Sequence, residues 1–248
     1  MSDRLSKKQK FFLGHLGLSL SLALIILVWV FFCWYPSPLA QAVGVTHIFL
    51  MMLAIDVIVG PLLGFIVYKE GKKSLKFDLA VIILIQFAAL CYGVYSIGQG
   101  RPAWLVYNID RFELVRNNEI IDQNIQQAKP EYRHPSWFKP QYVATQLASD
   151  IKTRNDDMFV EALGGISLAQ KPERYVALSE VKQQIQQRAQ NLNQLNHFNN
   201  QKNVEKTLNQ YPEADSWVPL KASAVDMVVL INKQKGQVVK IVDLRPWK

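Results

Sequence analysis

Asp56 stands alone in LAIDVIVGPLLGF, residues 53–65, where apolar side chains run for more than a helical turn on either side and Gly60 and Pro61 follow at once. An aspartate near the centre of a membrane helix costs roughly 2.5–3.5 kcal/mol on insertion scales, so such a residue faces protein or water and has a partner. No Lys or Arg lies in this apolar run or in the two other long apolar runs of the chain. Gln86, in the third run, is the best match in depth, and its amide can donate to the carboxyl. Pro61 removes the N–H that would reach the carbonyl of Val57, and Gly60 lets a neighbouring backbone come close. Two readings of Asp56, Gly60, Pro61 and Gln86 stand side by side. They fix how three helices pack, or they form a kinked, polar docking groove for another transmembrane helix.

The rest of the sequence offers little other chemistry. Histidines at 15, 47, 134 and 197 have no metal-ligand spacing, so no metal is expected. There is no nucleophile elbow, HExxH, CxxC pair or dinucleotide signature, and Gly71-Lys72-Lys73-Ser74 lacks the earlier glycine of a phosphate loop. The chain therefore reads as a non-enzyme without cofactors. An intramembrane hydrolase would need a second acid or a nucleophile at the depth of Asp56. Cys33 and Cys91 fall in the outer parts of apolar runs and read as packing residues; a disulfide would need neighbouring helix ends.

The elements that must position Asp56 follow from composition. Half of the 248 residues are hydrophobic, and they crowd into the first hundred positions. Phe11–Trp34, His47–Tyr68 and Leu79–Ile97 each reach the ~20 residues that span a bilayer, about 36, 33 and 28 Å of helix. Asp56 is then about 14 Å and Gln86 about 16 Å from the outer ends of their spans. Arg4, Lys7, Lys8 and Lys10 precede the first run, the loop at 35–46 is uncharged, and Lys69, Lys72, Lys73 and Lys76 separate the second from the third. By the positive-inside rule the amino terminus and the second loop face the cytoplasm, and residues 99–248 form an outer domain beyond a membrane domain at 1–98. Ala40-Gln41-Ala42 resembles a signal-peptidase site, but the preceding apolar run is much longer than the ~7–15 residues of a signal core. The net charge of +8 is half topogenic and otherwise scattered, so nucleic acid is not an expected partner; the bilayer is.

In the outer half, residues 103–110 and 111–116 read as extended. EYRHPSWFKPQ is a basic, aromatic loop, read as packing Trp137 inward, with contact to lipid headgroups or a partner as the alternative. Residues 141–151 and 156–163 read as short helices, the second capped by Asp156 and ended at Gly164-Gly165. The longest outer helix is expected from Ser179, with Val181, Ile185, Leu192 and Leu195 on one face and Gln/Asn on the other, fraying at Asn199-Asn200. Residues 225–231 and 238–244, joined by a turn with Gly236, read as a hairpin covered on both faces. The expected fold is α+β: three transmembrane helices, then a mixed domain whose terminal strands share a sheet.

Beyond these readings, DVIVGPLL from Asp56, KSLKFDL from Lys73, Gln86, Tyr92-Gly93, Arg101-Pro102 and Asp110-Arg111-Phe112 resemble the TfpX/TfpZ family of type IV pilin accessory proteins. Pro172, Arg174-Tyr175, Gly236 and Pro246-Trp247 extend the likeness to the end of the chain. The resemblance implies a non-enzymatic inner-membrane protein of a Gram-negative bacterium. It would be paired with one major type IV pilin and would promote or modulate its assembly in a chaperone-like way. The residues alone also admit an anchored periplasmic ligand sensor, although the short cytoplasmic segments leave little room for an output domain.

Overall fold

The computed structural model describes residues 5–163 and 165–248. Arg4, counted among the topogenic charges, and Gly164, expected to end a helix, lie outside the described residues. The chain divides into two compact units, one running to Cys33 and resuming at Val45–Gln99, the other made of Trp34–Gly44 and Gly100–Lys248.

The first unit is three helices, α1 (Lys7–Trp29), α3 (Val45–Val67) and α4 (Leu75–Gln99), each long and apolar enough to cross a membrane. A capping box between Ser6 and Gln9 starts α1, and a wider turn over Val30–Trp34 continues it. α3 stays helical through Pro61. α1 and α3 run antiparallel: the Lys8 ammonium lies 4.0 Å from the Phe65 ring, and Phe31 meets Phe49 at the other end. α3 packs against both α1 and α4, whereas α1 and α4 barely touch each other. The outward faces are apolar, with Leu18 70% and Leu84 67% exposed, a surface stable in lipid rather than in water.

The second unit is a mixed sheet of eight strands: β1 (Pro102–Asn108), β2 (Arg111–Arg116), β3 (Gln141–Thr145), β4 (Tyr175–Val176), β5 (Gln190–Asn191), β6 (Ser216–Lys221), β7 (Met227–Asn232) and β8 (Gln237–Val242). The order is β4-β3-β1-β2-β6-β7-β8, with β5 on β6. Parallel pairing of β2 with β6, through Phe112–Leu220 and Glu113–Lys221, joins the two ends of the domain into one sheet. Among the described residues, four further α-helices are α2 (Leu39–Val43), α5 (Ile151–Ala162), α6 (Lys182–Arg188) and α7 (Gln201–Leu208). Side chains of β7 alternate between two cores. Met227, Val229 and Ile231 pack with Leu39, Ala42 and Ile185, while Val228 and Leu230 pack with Leu195, Val204 and Trp217.

The segment 34–44 is not a bare loop. α2 is buried, and the Ala42 carbonyl accepts N–H groups from Ala224 and Val225 at 3.0 and 3.1 Å. Gly44 ends α2 at φ 78°, a left-handed cap that glycine adopts without strain. The resemblance of 40–42 to a cleavage site thus falls on two buried alanines inside a folded unit.

Several sequence expectations are corrected. Residues 141–145 are a strand, not a helix, because Tyr142, Val143 and Ala144 pair in parallel with β1. α5 begins at Ile151, capped by the Asp150 carboxylate on the Thr153 N–H, rather than at Asp156. No long helix runs from Ser179: a tight turn at Leu178–Val181 leads into the seven residues of α6, which stops where Ala189 turns extended. Asn191 then caps a turn over Leu192–His197, and Asn200 caps α7 instead of marking a frayed end. β6 carries Pro219, which argues against a strand, yet it pairs with Val228 of β7. The other side of β6 is bonded only near its ends, to β5 at 216–217 and β2 at 220–221, so the missing N–H falls in the gap. Of the terminal hairpin, β7 is covered on both faces as expected, while β8 is a partly exposed edge strand. Trp137 does not pack inward; it is 67% exposed.

Candidate functional site

The polar residues of the helical unit converge on the Gln86 side chain. The register of α3 against α4 brings Gly60 beneath this amide, so closely that a Cβ at residue 60 would fall on it. Gln86 Nε2 donates to the backbone carbonyl of Asp56 at 2.6 Å and to Ser19 Oγ at 3.2 Å. Gln86 Oε1 lies 3.0 Å from His15 Nε2, whose N–H it accepts. One amide therefore ties α1, α3 and α4 together at a single level. Asp56 and Gln86 are brought together as the sequence suggested, but the bond goes to the main-chain carbonyl and not to the carboxyl. Pro61 is buried next to Gly60.

Two buried polar atoms of this layer have no partner: Oδ2 of Asp56 and Nδ1 of His15. A neutral imidazole with Nε2 donating can accept at Nδ1, and the Asp56 carboxyl oxygen can accept as well. Both residues line a groove of about 120 Å³ between α1 and α4, walled by Leu18, Leu22, Leu53, Ile83, Phe87 and Leu90. That volume is below the ~300–1,000 Å³ of small-molecule pockets and suits one inserted side chain.

His15 and Ser19 were missed in the sequence. Their signal was spacing: i and i+4 on one helix place two polar side chains on one face of an otherwise apolar run. Ser, His and Asp around one groove also raise the hydrolase reading, but the connections are wrong for it. A nucleophile must touch its base, and the base must be oriented by an acid through its other nitrogen. Here both Ser19 and His15 bond to the Gln86 amide, and His15 Nδ1 meets no acid. Cys33 and Cys91 are free thiols. Lys72, among the topogenic lysines, pairs with Asp78 at 2.7 Å. No group of His, Cys, Asp or Glu able to hold a metal occurs among the described residues.

The sheet unit has polar clusters of another kind. Asp157, on the inner side of α5, takes Lys171 Nζ at 2.6 Å and Arg174 Nε at 2.8 Å. Burial works to raise this carboxyl, and the two hydrogen bonds outweigh burial, holding it below the ordinary carboxylate range. The opposite side of α5 is apolar and open, with Ile151, Met158, Phe159 and Leu163 55–72% exposed. Glu113, which borders a cleft of about 360 Å³, accepts from Asn108 Nδ2 at 3.1 Å and Ser167 Oγ at 2.8 Å, so its acceptors are occupied within the fold.

These features define a class first: a helical unit of membrane-spanning length joined to an α+β domain without cysteine, whose unanswered polar atoms face a groove wide enough for a side chain. Comparison with known proteins gives the family. The model of the fimbrial assembly protein FimB family matches residues 3–44. The chain is 33% identical to the fimbrial assembly protein of serogroup I from Dichelobacter nodosus over 182 residues, 73% of this chain and 70% of that one. It is 32% identical to the serogroup E1 protein of that organism over the same shares, and 35% identical over 116 residues to the protein of serogroups C1 and C2, 46% of this chain and 88% of that one. This chain belongs to the fimbrial assembly protein family. No solved structure matches it.

Proposed function

We propose that this protein assists pilus assembly in the bacterial inner membrane by holding the hydrophobic helix of a cognate major type IV pilin in the groove between α1 and α4. The observation that carries this reading is the pair of unanswered acceptors, Asp56 Oδ2 and His15 Nδ1, buried in an apolar groove floored by α3. An unsatisfied polar atom in a membrane is costly, and a passing helix that brings a donor satisfies it. The partner therefore presents a hydrogen-bond donor or a cationic group at that level, on an otherwise apolar surface. The role is non-catalytic: alignment and protection of a membrane-held subunit until it joins the fibre.

The family supports the assembly role, and the chain's division into units supports the topology. With the amino terminus inside, three spans put the segment 34–44 and residues after 99 on one side of the membrane. These are the segments that fold together as one unit. That unit is then periplasmic, beside the pilin head, and the open apolar side of α5 is the surface that meets it, in place of the amide-rich stretch after Ser179.

The test is piliation in a strain lacking the protein and complemented with Asp56→Ala. Wild-type abundance of the variant with few or no pili is the expected result. Full piliation at equal abundance would remove the intramembrane part of the proposal.

A further inference from the structure

The aromatic loop at 133–140 carries a second surface. Two of its contacts go to residues where the chain leaves the long apolar helices. The Trp34 indole, immediately after Cys33, donates to the Trp137 carbonyl at 2.9 Å. The guanidinium of Arg101, two residues past the end of α4, lies 5.0 Å from the centre of the Trp137 ring. Arg133 fixes the loop from within, donating to the carbonyls of Ala128 and Gln126 at 3.0 and 2.9 Å. Held this way, Trp137 is 67% and Phe138 59% exposed, and His134 and Lys139 are exposed on either side of them.

The sheet fixes which end of the domain this is. β1 and β3 are parallel and start together, Trp104 opposite Gln141, so the loop that precedes β3 sits at the end where the chain enters from α4. α5 belongs to the other end: Glu161 approaches Asn108, the last residue of β1, and Arg174, which holds Asp157, hands its carbonyl to Gln146 just past β3. The two exposed apolar patches thus lie at opposite ends of the sheet. Among the described residues, the loop patch is the one tied to points where helices of membrane-spanning length end.

We propose that Trp137 and Phe138 insert into the headgroup zone of the bilayer, with Lys139 and His134 at the level of the lipid phosphates. Amphipathic aromatic rings favour that zone, and basic side chains beside them meet anionic lipid. The occupant is lipid rather than protein because the loop is held by Trp34, the last residue of the first apolar run, and by Arg101, two residues past the end of α4. This rests on the reading that the three helices cross a membrane.

The experiment uses the full chain with Cys33→Ser and Cys91→Ser, reconstituted in phosphatidylethanolamine/phosphatidylglycerol vesicles. One cysteine is introduced at a time, Phe138→Cys, Leu163→Cys or Leu84→Cys, and labelled with an environment-sensitive fluorophore. Expected is blue-shifted emission at 138, quenched several-fold more by lipid spin-labelled near the headgroup than at 163, where aqueous iodide quenches instead. Iodide quenching at 138 equal to that at 163 overturns the proposal, and so does equal lipid quenching at both. The probe at Leu84 reports insertion separately: quenching there by deeply spin-labelled lipid shows that the helices are in the bilayer, so a negative result at 138 then counts against the loop alone.

Discussion

Two acids in this molecule, Asp56 and Asp157, meet opposite fates. Asp157 holds two cations, Lys171 and Arg174, at 2.6 and 2.8 Å, all within one domain. Asp56 lends its main-chain carbonyl to Gln86 and leaves a carboxyl oxygen buried and unanswered. The first is an internal clamp whose requirements the fold supplies in full. The second leaves one buried oxygen unanswered within the fold, and on the proposal made above a partner helix answers it. The same contrast runs through the apolar residues. β7 buries Met227 to Ile231 completely between two cores, whereas the outer faces of α1 and α4 keep Leu18 and Leu84 open to whatever surrounds them.

The comparison breaks most visibly at Asp157. Asp157→Ala leaves two partly buried cations without a counter-charge and costs about 1.5–3 kcal/mol of domain stability, read as a lower denaturant midpoint. Because the native carboxyl titrates below the unfolded value of about 3.9, its contribution is fully present above about pH 4. It is lost as pH falls through the native value, and the variant should lose that part of the wild-type acid sensitivity. If Asp56→Ala lowers the midpoint as much as Asp157→Ala does, the distinction between clamp and open site is gone.

Gly60→Val comes next. The added carbons fall on the Gln86 amide and force α3 from α4, an overpacking cost of about 1–3 kcal/mol, seen as weaker cysteine crosslinking between the two helices. Gln86→Leu keeps the volume but removes the bridge among three helices. Hydrogen bonds in membranes average ~0.6 kcal/mol each, so about 1–2 kcal/mol is expected, and crosslinking between α1 and α4 should become less specific. No change in either variant would mean that the layer around Gln86 is incidental.

Legibility divides along the same line. The three long helices and the terminal hairpin are plain in the sequence because each is specified by its own composition: unbroken apolar runs in one case, two β-rich stretches about a glycine turn in the other. Elements specified by distant partners were not legible. β3 is a strand because β1 lies beside it, and β6 tolerates Pro219 because the neighbouring positions across the sheet are vacant. Ile185 and Leu195 share a plausible helical spacing yet enter different cores, since the chain turns at Ala189. Of the candidate site, Asp56, Gly60 and Gln86 stood out as oddities in apolar surroundings. His15 and Ser19 did not, because their meaning depends on α1 facing Gln86 across the groove. The buried α2 was hidden for a similar reason: an uncharged connector looks like a loop until Ala224 and Val225 are known to bond to it.

The measurement that bears most directly on the central claim is site-specific photocrosslinking in native membranes, with the probe placed in turn at Leu18, Leu22 and Ile83 on the groove and at Ile66 and Ile85 away from it. Adducts with the major pilin from the groove positions, absent from the other two and diminished by Asp56→Ala, are the predicted result. Pilin adducts of equal yield from all five positions, or none from the groove while pilin is abundant, would contradict it and leave Asp56 as a packing residue.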